Sequence, residues 1–222
     1  MTRLANPPRT LADVLHRLGD VPPDRVCPDP PPGKATERHL LRFLHATDKR
    51  LYELVDGTLV EKTVGAKESF LAMEIAYLLK HFNRLAGNPG MVLGPDGTVR
   101  LHAGLVRIPD VAFTRWERLP GGRVPDAPLG VVAPDLAVEI LSPSNRPGEM
   151  RRKLADYFDH GVRVVWYIQP TSQTAQVFVS PTDVTDIPAG GTIDGGDVLP
   201  GFRLPLADLF AELAPPRNPG GG

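Results

Sequence analysis

A chain of 222 residues that is 41% hydrophobic and 23% charged suits one soluble globular domain with a proper core. Its formal net charge of −1 sets up no global field for a polyanion, which weighs against a nucleic-acid coat protein but not against an enzyme that grips phosphate through a local patch. The single cysteine, Cys27, excludes an intrachain disulfide framework, no stretch reaches the roughly 18 apolar residues of a membrane span, and "MTRLANPPRT" lacks the apolar run of a secretory signal. The expectation is a cytoplasmic protein with no membrane partner.

Taken in chain order, Leu11 to Leu18 is a short amphipathic segment that runs into "VPPDRVCPDPPPGK", where prolines fix φ and remove donors. Residues 1–35 are therefore expected to be a helical and proline-rich extension ending in a stiff linker, with the main domain over 36–213 and a disordered tail over 214–222. "TERHLLRFLHA" restarts helical spacing. "LYELVDGTLVEK" places two alternating runs about Asp-Gly, a strong hairpin signal. From Lys67 to Leu85, Leu71, Ile75, Leu78, Leu79, Phe82 and Leu85 form one helical stripe. "TVRLH", "LVRIPDVAF" and "PDLAVEILS" then read as three strand regions. "SPSNRPGEMRRKLADYFDHG" reads as a helix capped by Ser144 or Asn145, with Pro147 in its first turn and Gly161 as terminator. "VRVVWYIQP" and "TAQVFVS" make a strand pair, "GGTIDGGDVLPGF" a loop, and "LADLFAEL" a last short helix. The order implies an α/β fold, a mixed sheet with helices on its faces. Neither G-x-G-x-x-G nor G-x-x-x-x-G-K-[ST] occurs, so a dinucleotide or P-loop site is not expected.

"PDLAVEILS" carries a carboxylate in an otherwise apolar strand. Leu136, Val138 and Ile140 share one side, and Glu139 faces the other with Ala137 and Leu141. Asp110 opens the strand of "RIPDVAF". If those strands are neighbours, Asp110 and Glu139 meet, and two carboxylates with the backbone carbonyl of Leu141 suit Mg²⁺, which keeps waters and leaves room for phosphate oxygens. Lys153 stands at the edge of the following helix's buried face, where its stem can cross apolar surface and bring the ammonium to the sheet. An acid pair, a divalent metal and a lysine are the parts of phosphodiester hydrolysis.

"YELVDGTLVEK", "VRIPDVAF", "APDLAVEILSPSN" and "RRKLADYFDHGVRVVWYI", in that order over about Arg50 to Leu209, resemble the Uma2 endonuclease family, a branch of the PD-(D/E)xK nuclease superfamily. The resemblance implies a restriction-endonuclease-like mixed β-sheet flanked by helices and Mg²⁺-dependent cleavage of DNA, with Mn²⁺ as a substitute. It makes Asp110 and Glu139 metal ligands, Lys153 the catalytic cation and Glu53 of "YEL" a further acidic site residue. A homodimer is expected, since cutting a duplex is easiest with paired sites. The superfamily's lysine position, two residues after the second acid, holds Leu141 here, so the lysine is displaced to Lys153. Where many family members have a histidine at the start of the long helix, this chain has Lys67, Glu68 and Ser69.

Blander readings exist for each residue. Lys153 could form an exposed i,i+4 pair with Glu149, and Glu53 could be only a cross-strand partner. No histidine spacing suggests zinc, and Ser142 and Ser144 lie in no G-x-S-x-G elbow. Arg107, Arg115, Arg118, Arg146, Arg151 and Arg152 flank the carboxylates in sequence and are candidate phosphate contacts. The competing function is a nuclease-fold protein that no longer cuts and serves as a binding or assembly module.

Overall fold

The alternation in "PDLAVEILS" organises a computed structural model that describes residues 10–47, 50–130 and 132–214. In chain order the elements are α1 (Leu11–Arg17), α2 (Glu37–Leu44), β1 (Tyr52–Val55), β2 (Thr58–Glu61), α3 (Ala66–Leu85), β3 (Gly90–Leu93), β4 (Val99–His102), β5 (Leu105–Arg107) and β6 (Val111–Arg115). They continue with β7 (Leu136–Ile140), α4 (Pro147–Asp159), β8 (Val164–Gln169), β9 (Thr174–Phe178), β10 (Val184–Ile187), β11 (Thr192–Asp194), β12 (Arg203–Pro205) and α5 (Leu206–Ala211).

A six-stranded sheet has the order β10-β9-β8-β7-β6-β3. Its one parallel pair, β7 with β8, is joined through α4, the crossover that parallel neighbours require. Leu136, Val138 and Ile140 point at α3, where Leu71, Ile75 and Leu79 complete an apolar core. Ala137 points at α4 and packs with Met150, Leu154 and Tyr157. The mixed sheet is thus covered on both faces, as the sequence implies.

A second sheet, β2-β1-β5-β4, carries the Asp-Gly hairpin, with Tyr52 opposite Glu61 and Val55 opposite Thr58. The expected single strand region "LVRIPDVAF" is in fact two strands in two sheets. Pro109 offers no N–H to either ladder, and the chain changes sheets there between β5 and β6. Two further corrections concern short elements. β3 was not anticipated, and the expected loop "GGTIDGGDVLPGF" contains β11, which pairs with β12 around Ile193 and Leu204. The cap of α4 is Arg146; Asn145 Oδ1 instead accepts the N–H of Ser142 at 2.8 Å.

The proline-rich stretch expected to be a linker is docked on the β2 edge. Cys27 N–H donates to Leu59 O, Ala35 N–H donates to Gly57 O, and Val26 bridges Val60. Val14, Leu18, Val21 and Val26 bury against Val55, Val60 and Leu105. Gly19, at φ +87°, lets this segment touch the start of α4: a Cβ there would lie 2.2 Å from the carbonyl carbon of Gly148. Residues 1–9 of the extension, and the expected tail from 215 on, lie outside the described residues. Among the described residues, no helix is long and apolar enough to cross a membrane.

Candidate active site

Glu139 answers the question its strand raises, because the face of β7 opposite the apolar core meets polar groups from α4. Lys153 and Tyr157 come one turn apart on that helix, the i,i+4 spacing that puts both on the sheet side. Lys153 Nζ donates to Glu139 Oε1 at 3.1 Å and Oε2 at 3.0 Å, and the Tyr157 hydroxyl donates to Oε1 at 2.6 Å. Asp110 arrives from the neighbouring strand: its N–H donates to Val138 O, and its Oδ2 accepts the Ile140 N–H at 2.6 Å.

The four-stranded sheet contributes the other half. Glu53 of β1 accepts from Lys153 Nζ at 3.1 Å and from the Ile108 N–H at 3.1 Å through Oε1, and from Arg107 at 2.7 Å through Oε2. Arg107 also bonds Asp156 of α4. Lys62, just past β2, donates to Ile108 O at 2.6 Å and to Asp110 Oδ1 at 2.8 Å. Arg25 of the docked N-terminal segment forms two hydrogen bonds, 2.9 and 2.8 Å, with Glu149 in the first turn of α4. These groups surround a narrow cleft of about 20 Å³, room for a single water before any side chain moves.

In this network the buried side chains are five acids (Glu53, Asp110, Glu139, Glu149, Asp156) and four bases (Arg25, Lys62, Arg107, Lys153), and the half-buried Arg152 also pairs with Asp156. Burial opposes ionisation of Glu53, but Lys153, Arg107 and the Ile108 N–H outweigh it and hold this carboxyl down at about 2. Glu139 goes the other way: burial, with Asp110 nearby, raises it despite Lys153 and Lys62. For Lys153, burial disfavours the ammonium, yet Glu139 and Glu53 raise its pKa and keep it charged. Burial and the Glu139 charge likewise keep the Tyr157 hydroxyl protonated.

Asp110, Glu139, Lys153 and Glu53 are therefore together, on four different elements or their ends. Leu141 does not line the cleft they share. It lines the outer grooves beside Tyr167 and Gln169, whereas Ile140 lines the acidic cleft. The exposed Glu149–Lys153 pair does not form, since Glu149 is taken by Arg25 and both side chains are buried. Arg107 is no surface phosphate contact; it is 4% exposed and spent on carboxylates. Sequence reasoning missed Lys62, Tyr157 and Arg25. Lys62 had a signal: the hairpin register sets Glu53 opposite Val60, and alternation then puts Lys62 on the face of Glu53.

Among the described residues, no three His, Cys, Asp or Glu side chains form a group arranged to hold a metal ion. An all-protein cage is not what a small hard cation needs, because Mg²⁺ commonly takes one or two carboxylates and fills its remaining positions with water and phosphate oxygen. Asp110 and Glu139 supply that all-oxygen pair on adjacent strands, and the cleft they share is lined by five acids (Glu53, Glu68, Asp110, Glu139, Glu149) against three bases (Arg25, Lys62, Lys153), a balance that suits a cation. The Lys62 ammonium now sits on Asp110 Oδ1, so a cation bound there competes with it.

Fold and site together describe a mixed sheet flanked by helices, with acids and lysines gathered at adjacent strands, the architecture of the restriction-endonuclease-like class. A solved structure titled as a putative nuclease belonging to DUF820, from Anabaena variabilis, superposes with a TM-score of 0.69 at 20% identity, covering 81% of this chain and 99% of that one. The family model of Uma2, described as "Putative restriction endonuclease", matches residues 38–207. The chain belongs to the Uma2 family. No curated protein matches it.

Proposed function

We propose that the protein is a metal-dependent endonuclease that hydrolyses DNA phosphodiester bonds, with Asp110 and Glu139 holding Mg²⁺, or Mn²⁺ in its place. The observation that carries this reading is the convergence of Lys153 on Glu139 and Glu53, in the same cleft as Asp110. When bound, the metal supplies Lewis-acid neutralisation of phosphate charge and lowers the pKa of a water. Lys153 stays an ammonium at neutral pH, so it acts through charge and orientation on water and phosphate and does not serve as a base. Tyr157 holds Glu139 through Oε1 and fixes its rotamer. Glu53 and Arg107 in turn position the Lys153 ammonium. Cutting both strands of a duplex is easiest with two such sites, so paired copies belong to the proposal.

A second reading, a nuclease-fold binding module without catalysis, is favoured by one feature: every oxygen of Asp110, Glu139 and Glu53 already accepts from a protein donor. Supercoiled plasmid incubated with Mg²⁺ or Mn²⁺ against a chelator control separates the two. Metal-dependent nicking by wild type, lost in Glu139→Gln and Lys153→Ala, is the expected result. Folded wild type that neither binds the metals nor nicks the plasmid would leave the binding module.

A further inference from the structure

Of the six arginines that flank the acidic cleft in sequence, four are committed to other groups. Arg107 holds Glu53 and Asp156, Arg115 donates to the carbonyls of Asp197 and Val198, Arg118 pairs with Asp135, and Arg152 pairs with Asp56 and Asp156. Arg146 and Arg151 are different: among the described residues neither side chain has an ion pair or hydrogen bond. Both line one groove of about 410 Å³ between α4 and the outer part of the six-stranded sheet.

Three features of this groove point to one occupant. It adjoins the acidic cleft, since Ser142 and Asn145 line both. No carboxylate lines it; beyond the two arginines its polar side chains include Ser142, Asn145, Gln169 and Gln176, neutral hydrogen-bonding groups. The next depression along the sheet shares Leu141, Tyr167, Gln169 and Gln176 and carries Asp186, which accepts from Gln176 at 2.8 Å, so the arginine end of the groove is the side that favours negative charge. The groove's volume is at the low end of the roughly 300–1,000 Å³ typical of small-ligand sites, a scale of one or two nucleotides and not of a duplex.

We propose that this groove is the track of a single DNA strand leaving the cleft, with Arg146 and Arg151 each binding a backbone phosphate. The proposal rests on the nuclease reading and deepens it, because it says which way the substrate runs and in what form. Arginine suits the role, since its planar fork pairs with phosphate oxygens. Gln169 adds a neutral amide to the same groove, while Asn145 Oδ1 and Gln176 Nε2 are already bonded to Ser142 and Asp186.

The test is fluorescence anisotropy of a labelled single-stranded 12-mer DNA with the full chain, in chelator to prevent cleavage, across a salt series. Each phosphate neutralised on a single strand contributes about 0.7 to the slope of log affinity against log salt. Arg146→Ala/Arg151→Ala should therefore bind more weakly, with a slope shallower by about 1.4. Lys80→Ala/Arg84→Ala on α3, which removes the same charge elsewhere, should leave the slope unchanged. A slope unaltered by the groove variant, or lowered equally by both double variants, would overturn the track while leaving the nuclease reading standing. Wild type that binds neither the single strand nor a duplex of the same sequence would overturn both. Thermal unfolding of each variant checks that these surface changes leave the fold intact.

Discussion

The two faces of β7 differ in kind. Toward α3, Leu136, Val138 and Ile140 join a large cluster of buried hydrophobic side chains. Toward α4, one residue along, Glu139 joins four other acids and four bases held away from water. The apolar face gains free energy from every Å² it hides, whereas the polar face must spend its ion pairs offsetting desolvation. One strand therefore divides the work: stability is concentrated on one side and, in the proposed function, reactive chemistry on the other.

The largest effect expected is on the polar face. Glu139→Gln should lower metal-dependent plasmid nicking by about 10²–10³-fold or more, a loss typical of removing one group that stabilises transition-state charge. Its unfolding temperature should hold or rise, because burial already disfavours the Glu139 carboxylate. Arg25→Ala sharpens the contrast by leaving Glu149 buried and unpaired, and denaturant melts should show a loss of about 3–5 kcal/mol. A second change, Glu149→Leu, should restore part of it.

On the apolar face, Leu136→Ala should cost about 2–5 kcal/mol in the same melts, with the nicking rate per folded molecule unchanged. Acid tests the polar face without a catalytic assay. Glu53 titrates at about 2 when folded and has an ordinary value of 4.5, so its stabilisation is complete above 4.5 and fades as pH falls toward 2. That contribution is on the order of 3 kcal/mol, and the melting temperature of Glu53→Gln should vary less between pH 5 and 2 than that of wild type. The smallest effect belongs to neither face: Tyr77→Ser, on the exposed side of α3, should stay within about 0.5 kcal/mol in a denaturant melt.

How much of this was legible depends on the range of each interaction. Period-two alternation places Glu139 opposite the core, the Asp-Gly turn places Glu53 on its hairpin, and helical spacing places Lys153 at the sheet; all are local patterns. The break at Pro109 was visible as a residue, but not as a change of sheet, because that depends on which strand finds β5 and which finds β6. Arg25 pairs with Glu149 across 124 positions, and nothing near either one marks the other. Tyr157 is a core side chain of α4, yet its hydroxyl reaches Glu139, a contact that helical spacing alone does not mark. The prolines of residues 21–34 suggest a stiff linker and conceal docking, because the edge of β2 that receives them is a tertiary feature.

The most direct test of the division is to measure Glu139→Gln and Leu136→Ala side by side, for unfolding free energy and for metal-dependent plasmid nicking per folded molecule. The account predicts a crossed result: Glu139→Gln keeps its stability and loses nicking, and Leu136→Ala loses stability and keeps nicking. Nicking retained by Glu139→Gln, or lost in folded Leu136→Ala, would contradict it.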